Sequence, residues 1–408
     1  MTAPSTGKAV AIFVVFASAY FLSALIRAIT ATLAPTLVQE FALNARDLGL
    51  LAGAYFLGFA ATQLPLGTWL DRYGPKRVVL GFLSLAVLGC VGFAKADSFA
   101  GLLAARVLCG AGVSACLMAP LTGYRRWLAP VNQMRANSWM LMVGAFGMVA
   151  STLPVQWLLP LVGWRPIFLW LGGLVALAML SIAWQVPTWG TRARDTQPAA
   201  THAATGYAEV WRNPHFRKYV PLGFFNYGGL VAMQTLWAAP WMVKVAGYSA
   251  LQAATGLFWI NVAMLVAFWL WGVANPWLAR HGHTAERLIA MGMPVSLLTM
   301  AVIVLASSAL ATWATTIWIV FCVSSTVGAL AQPAVGLAFP SHLAGRALSA
   351  FNLVIFSGVF AVQWGVGLMV DALKAGGIPE IQAYQGALAA YALCCMGAYI
   401  YFLVAKKP

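Results

Sequence analysis

Long apolar runs alternate with short polar, mostly basic turns from one end of the chain to the other. Twelve runs are predicted to be helical spans, at about 8–36, 47–70, 76–95, 98–127, 135–160, 165–187, 218–243, 250–279, 285–308, 311–339, 345–372 and 381–405. Each has at least the roughly 20 residues that a helix needs to cross a hydrocarbon layer of about 30 Å. The pattern breaks once, between Thr188 and Arg217, in a stretch rich in Thr, Ala, Pro and basic residues. That stretch divides the spans into two sets of six and reads as a linker, 188–217, between bundles 1–187 and 218–408. Its end, Tyr207 to Phe216, is expected to lie along a membrane surface.

Composition narrows the class. With 62% hydrophobic and 8% charged residues, an ordinary soluble globular protein is excluded. The net charge of +15 raises the question of nucleic acid, but the cations sit in the turns between apolar spans and form no patch. No nucleic-acid partner is expected; the partner the spans require is a lipid bilayer. The six cysteines all fall in apolar runs without metal-site or extracellular pairing patterns. The first apolar run continues to Thr36, too long for a cleavable signal. With both termini on one side, seventeen cations fall on that side and five on the other, leaving only Arg27 and Arg106 inside the membrane. Positive charge is retained in the cytoplasm, so both termini are expected there, in a cell inner membrane.

The most charged dozen residues form the turn Gly67-Thr-Trp-Leu-Asp71-Arg72-Tyr-Gly74-Pro75-Lys76-Arg77-Val78. Gly74-Pro75 supplies the bend. A bare positive-inside loop accounts for the cations but not for Gly67, Asp71 and Gly74 at these spacings. The pattern resembles the signature between helices 2 and 3 of the major facilitator superfamily. The resemblance implies an all-α membrane fold of twelve helices in two pseudo-symmetric halves, with substrate held near mid-membrane between them. It also implies that Asp71 braces a neighbouring helix end while Arg72, Lys76 and Arg77 hold a cytoplasmic gate. Arg106-x-x-x-Gly110-x-Gly112 is similar to the family's helix-4 motif; Arg106 either assists a coupling step or bonds neighbouring carbonyls. The halves echo one another: Ala34-Pro35 recurs as Ala239-Pro240 and Gly67 as Gly272 at an offset of 205, and Arg135 recurs as Arg346 at 211. Arg135 and Arg346 join the expected gating set.

Arg27 lies 19 residues beyond Lys8, roughly 28 Å along a helix. A charge at such depth costs about 2.5–3.5 kcal/mol on insertion scales, so a use is expected. Tyr20, Ser23, Arg27 and Thr30 share one helical face. The spacing from Arg27 to Ala34-Pro35 also resembles helix 1 of the anion:cation symporter branch, in which the arginine binds the substrate's anionic group. Ile26 and Ile29 stand where that branch has Asp and Asn, so the resemblance carries over anion binding and not proton coupling. The competing reading is that Arg27 snorkels to the surface or bonds backbone carbonyls. Buried amides at Asn226, Gln234, Asn261, Gln332, Asn352 and Gln363 either pin helices together or meet substrate. Tyr55, Trp237 and Trp259 are candidates to stack on a ring.

All five histidines fall in expected cytoplasmic loops, and no catalytic or phosphate-binding motif emerges. The chain is therefore expected to be no enzyme and to need no cofactor or metal. The leading expectation is a monomeric transporter of a small organic anion working by alternating access. Three alternatives stay open: a neutral or aromatic nutrient such as a vitamin, copper import, and a non-transporting receptor. Copper ranks third, behind the anion and the nutrient, because Met233 and Asn261 are followed at +4 by Trp237 and Leu265, not by paired Met or His ligands; the gate motif and polar cavity speak against a receptor.

Overall fold

The computed structural model describes residues 6–127, 130–188 and 203–405. Among them there is no strand, and the apolar runs are helices: α1 (Gly7–Phe41), α2 (Ala45–Leu70), α3 (Arg72–Ala94), α4 (Phe99–Tyr124), α5 (Arg135–Ala150, continued by Leu153–Val162) and α6 (Trp164–Gln185). A short helix, Ala203–Arg212, precedes α7, which begins at Pro214–Pro221 and ends at Ala238–Lys244. Then come α8 (Ala250–Asn275), α9 (Ala285–Ala306), α10 (Ala314–Ser325, continued to Leu337), α11 (Leu343–Ala375) and α12 (Glu380–Val404). The run Ala285–Leu337 is 53 residues long, about 80 Å of helix and far more than one crossing. It folds back at Ser307, whose φ is +39°, so that α9 and α10 pack side by side.

The breaks have local causes. The turn from α2 to α3 passes through Gly74 at φ +76°, a conformation open to glycine and strained for other residues. Helix α5 bends by 42° after Ala150. There Ser151 and Thr152 bond back to the carbonyls of Met148 and Val149, and Pro154 has no N–H for the ladder. In α7, Leu222–Tyr227 and Met233–Trp237 take the wider turn in which each N–H reaches five residues back. Such turns re-aim side chains and recur at functional positions.

Contacts divide the chain into two compact units: Met1–Ile29 with Leu57–Ala203, and Thr30–Phe56 with Ala204–Pro408. The last turns of α1 and the first half of α2 thus pack with the second unit. In the first unit α3 is sandwiched between α4 and α6, with Phe93 stacked on Phe168 at 4.1 Å and edge-on to Trp164 at 5.5 Å. In the second, Phe216 meets Phe339, and Phe351 of α11, edge-to-face, in a core that α9 shares. Val210 and Phe216 are buried in that core. Within Tyr207–Phe216, the stretch expected along a membrane surface, these two side chains pack on protein while Tyr207 and Trp211 stay partly exposed. Elsewhere the outward faces carry exposed Trp157, Leu161, Trp184, Leu305 and Leu337, side chains that a bilayer, not water, would cover.

Candidate substrate-binding site

In the first unit, Arg27 emerges partly exposed from an otherwise buried stretch of α1. Its guanidinium donates a hydrogen bond to the Tyr20 hydroxyl two turns earlier, and its Cζ lies 5.7 Å from the centre of the Phe59 ring. Cys116 of α4 stands within electrostatic reach. Tyr20 can lie flat against α5 only because position 144 is glycine; a Cβ there would collide with the Tyr20 ring. A cation held by a phenol, an aromatic face and apolar walls keeps its charge while losing much of its water, which strengthens its pull on an anion. Ser23 and Thr30, on the same face, are buried. Arg106 is fully buried, and its Nη1 donates to the Ile26 carbonyl at 2.9 Å. Of its two sequence readings, the bond to a neighbouring carbonyl is the one present, and it braces α1 one residue before Arg27.

In the second unit the predicted amides are brought together in pairs. Gln234 donates to Asn261 at 2.7 Å, and Asn261 donates on to the Leu257 carbonyl at 2.8 Å. Gln332 donates to Asn352 at 2.7 Å. Gln363 donates to Thr235 at 3.0 Å and accepts at its backbone from the Trp237 indole at 3.1 Å. Its side-chain oxygen and that of Asn226 are buried without a partner, the state in which a polar group gains most from a ligand or water. Asn226 points its nitrogen at Met293 and the Cys395 carbonyl, each at 3.4 Å.

The aromatic candidates separate. Tyr55 is fully buried, edge-on to Phe56 at 5.1 Å. Trp237 is also buried, edge-on to Tyr384, so both its ring and its N–H are occupied by protein. Trp259 is 53% exposed on an apolar surface groove beside Val262, Val266 and Leu270. That placement withdraws it as a stacking residue, because its ring is turned away from Asn261, its buried neighbour on the same helix.

Of the expected gate, Arg72 is exposed against the Tyr73 ring, Lys76 and Arg346 are partly buried, and Arg77 and Arg135 are exposed. Gly67 lies within α2. The side chain of Asp71 lies outside the described residues.

Two polar contacts were not foreseen. Asp371 at the end of α11 accepts from the backbone N–H of Ala45 at 3.2 Å and of Arg46 at 2.6 Å, while the Asn44 side chain accepts from Asp47 N–H at 2.8 Å. Three of the four orphan donors at the start of α2 are thereby satisfied. Beside that cap, a Cβ at Gly49 would strike the Gln363 carbonyl and one at Gly367 the Ala45 carbonyl, so α2 and α11 touch backbone to backbone. The second contact is a buried ion pair: Lys218, 3% exposed, bonds Glu286 and lies 4.9 Å from the centre of the Phe402 ring. In the sequence both residues look like ordinary loop charges.

Twelve apolar helices gathered in two units, with a partly exposed arginine on a polar face of the first helix, define a polytopic membrane protein. The chain belongs to the Major Facilitator Superfamily, whose family model matches residues 16–362. It is 27% identical to the gallate transporter of Pseudomonas putida, over 61% of this chain and 62% of that one. It is 26% identical to the 3-(3-hydroxy-phenyl)propionate transporter of Escherichia coli (strain K12), over 65% of this chain and 64% of that one. Both matches span a little less than two thirds of the relative. Among solved structures, a D-xylose-proton symporter superposes with a TM-score of 0.79 at 15% identity, over 97% of this chain and 98% of that one, and shows the shared fold.

Proposed function

We propose that this protein carries a small organic anion across the inner membrane by alternating access, with Arg27 holding the anionic group. The observation that carries the reading is the setting of Arg27: partly exposed, deep in α1, positioned by the Tyr20 hydroxyl and the Phe59 ring. An arginine presents a planar fork that matches a carboxylate with two parallel bonds. The gallate and 3-(3-hydroxy-phenyl)propionate relatives are named for acids that bear a ring. They make aromatic carboxylates the first substrate class to try, and they merge the organic-anion and aromatic-nutrient expectations. Asp71, Arg72, Lys76 and Arg77 hold the cytoplasmic gate, and both termini lie in the cytoplasm, the side with seventeen cations against five.

Reconstitution tests it. Proteoliposomes loaded with each member of a panel of aromatic and aliphatic carboxylates are assayed for counterflow of the same labelled acid. At least one aromatic carboxylate is expected to exchange, and Arg27→Gln to abolish that exchange. Normal exchange by correctly folded Arg27→Gln protein would overturn the anion reading.

A further inference from the structure

A cavity of about 350 Å³ opens in the second unit where α1 ends and α2 begins, at the lower end of the size range of small-molecule pockets. Ala34-Pro35 from α1 and Ala239-Pro240 from α7, the repeat-related pairs of the sequence, both line it. The Pro35 nitrogen has no hydrogen to give the Ala31 carbonyl, and Ala31 also lines the cavity. The walls are otherwise mostly apolar. At the rim Glu380 is shared by two lysines, 3.2 Å from Lys374 and 3.7 Å from Lys244. The two ammonium groups thus share one carboxylate over an apolar chamber, and Asp371, bonded to the backbone of Ala45 in the lining, is engaged as the cap of α2. The Tyr384 ring, also part of the lining, leans on Trp237, whose indole bonds the Gln363 carbonyl.

We infer that this cavity is a second, external binding site for an amphipathic monoanion, which seats its ring in the apolar chamber and its carboxylate against Lys244 and Lys374. Each part of the lining selects for that chemistry. A bare inorganic anion leaves the walls unfilled, and a neutral ring leaves the two ammonium groups unused. The freed Ala31 carbonyl offers an acceptor for a ring hydroxyl. The site is separate from Arg27, which is absent from its lining. Its ligand class and its outward placement rest on the transport reading above.

Amine footprinting tests it. Protein in nanodiscs is treated with a membrane-impermeant acetylating ester, with and without 3-(3-hydroxyphenyl)propionate, and labelling rates are read lysine by lysine by mass spectrometry. The acid is expected to slow labelling of Lys244 and Lys374 at least threefold while leaving Lys95, a cation expected on the same side, unchanged. The protection is expected to persist in Arg27→Gln. In Glu380→Gln, the half-protecting concentration is expected to fall about two- to fivefold, as for loss of a partly exposed competing charge. Protection that vanishes in Arg27→Gln would overturn the inference, since the lysines would then report binding elsewhere. Equal protection by sulfate would also overturn it, leaving an adventitious anion contact. Absent protection beside normal counterflow sinks this site alone. Protection without any counterflow leaves it standing and sinks the transport reading.

Discussion

Arg27 depends on how its neighbours are packed. Tyr20 orients its guanidinium, and Tyr20 lies where it does because Gly144 has no side chain. Gly144→Ala is therefore expected to displace the phenol and weaken anion binding although no charge is lost; overpacking of this kind costs about 1–3 kcal/mol. Titration of the identified substrate onto the variant checks it, and unchanged affinity would separate Tyr20 from the site. Arg27→Lys keeps the charge and loses the fork, so it is expected to bind weakly. Arg27→Ala breaks a buried pair worth about 3–5 kcal/mol and is expected to bind at least a hundredfold more weakly. The sequence made Arg27 visible because an arginine this deep in an apolar span is rare. Gly144 carried no such mark, since its reason lies on another helix.

Among elements, the α2–α11 contact has a specific fastening. Asp371 brings a carboxylate to the start of α2, where the helix dipole and two free N–H groups favour negative charge by about 0.3–2 kcal/mol. Asp371→Asn is expected to loosen this end. A cysteine placed at buried Leu48 should then react several-fold faster with an impermeant maleimide than in the parent; equal rates would show that the glycine contacts alone hold the helices. The Lys218–Glu286 pair makes a different prediction. Glu286→Gln leaves an ammonium buried beside Phe402, and is expected to destabilise by about 1–3 kcal/mol, given the partial exposure of the carboxylate. Lys218→Met with Glu286→Met should recover most of that loss in a thermal-shift assay. A double variant no more stable than Glu286→Gln would refute the assignment.

At the scale of the whole molecule the open question is energy coupling. The sequence places no carboxylate or histidine in the middle of an apolar span, and Asp371, the nearest, is engaged as a helix cap. Moving one negative charge inward against a negative-inside potential costs about 2.3 kcal/mol per 100 mV. Exchange for an internal anion, or facilitated movement, is thus expected instead of symport through a titrating side chain. Substrate-loaded proteoliposomes assayed with and without an imposed pH gradient decide it. Proton-driven uptake that disappears in Asp371→Asn or Asp47→Asn would reverse this expectation.

The sequence by itself determined the number and order of the spans, the glycine turn at Gly74, and the depth of Arg27. Each of these follows from interactions local in the chain: the thickness of a hydrocarbon layer, the dihedral a turn demands, and the burial of a charge. Only the tertiary structure decided which polar groups meet. Gln234 and Asn261 are 27 residues apart, Lys218 and Glu286 are 68, and Ala45 and Asp371 are 326. It also turned Trp259 outward while burying Asn261 two residues later, and it packed Phe216 into the protein core. In helices that are apolar almost all round, periodicity does not say which face is inward. That choice is made by close packing and by the need of each buried amide or carboxylate for a partner, and both exist only once the helices are assembled.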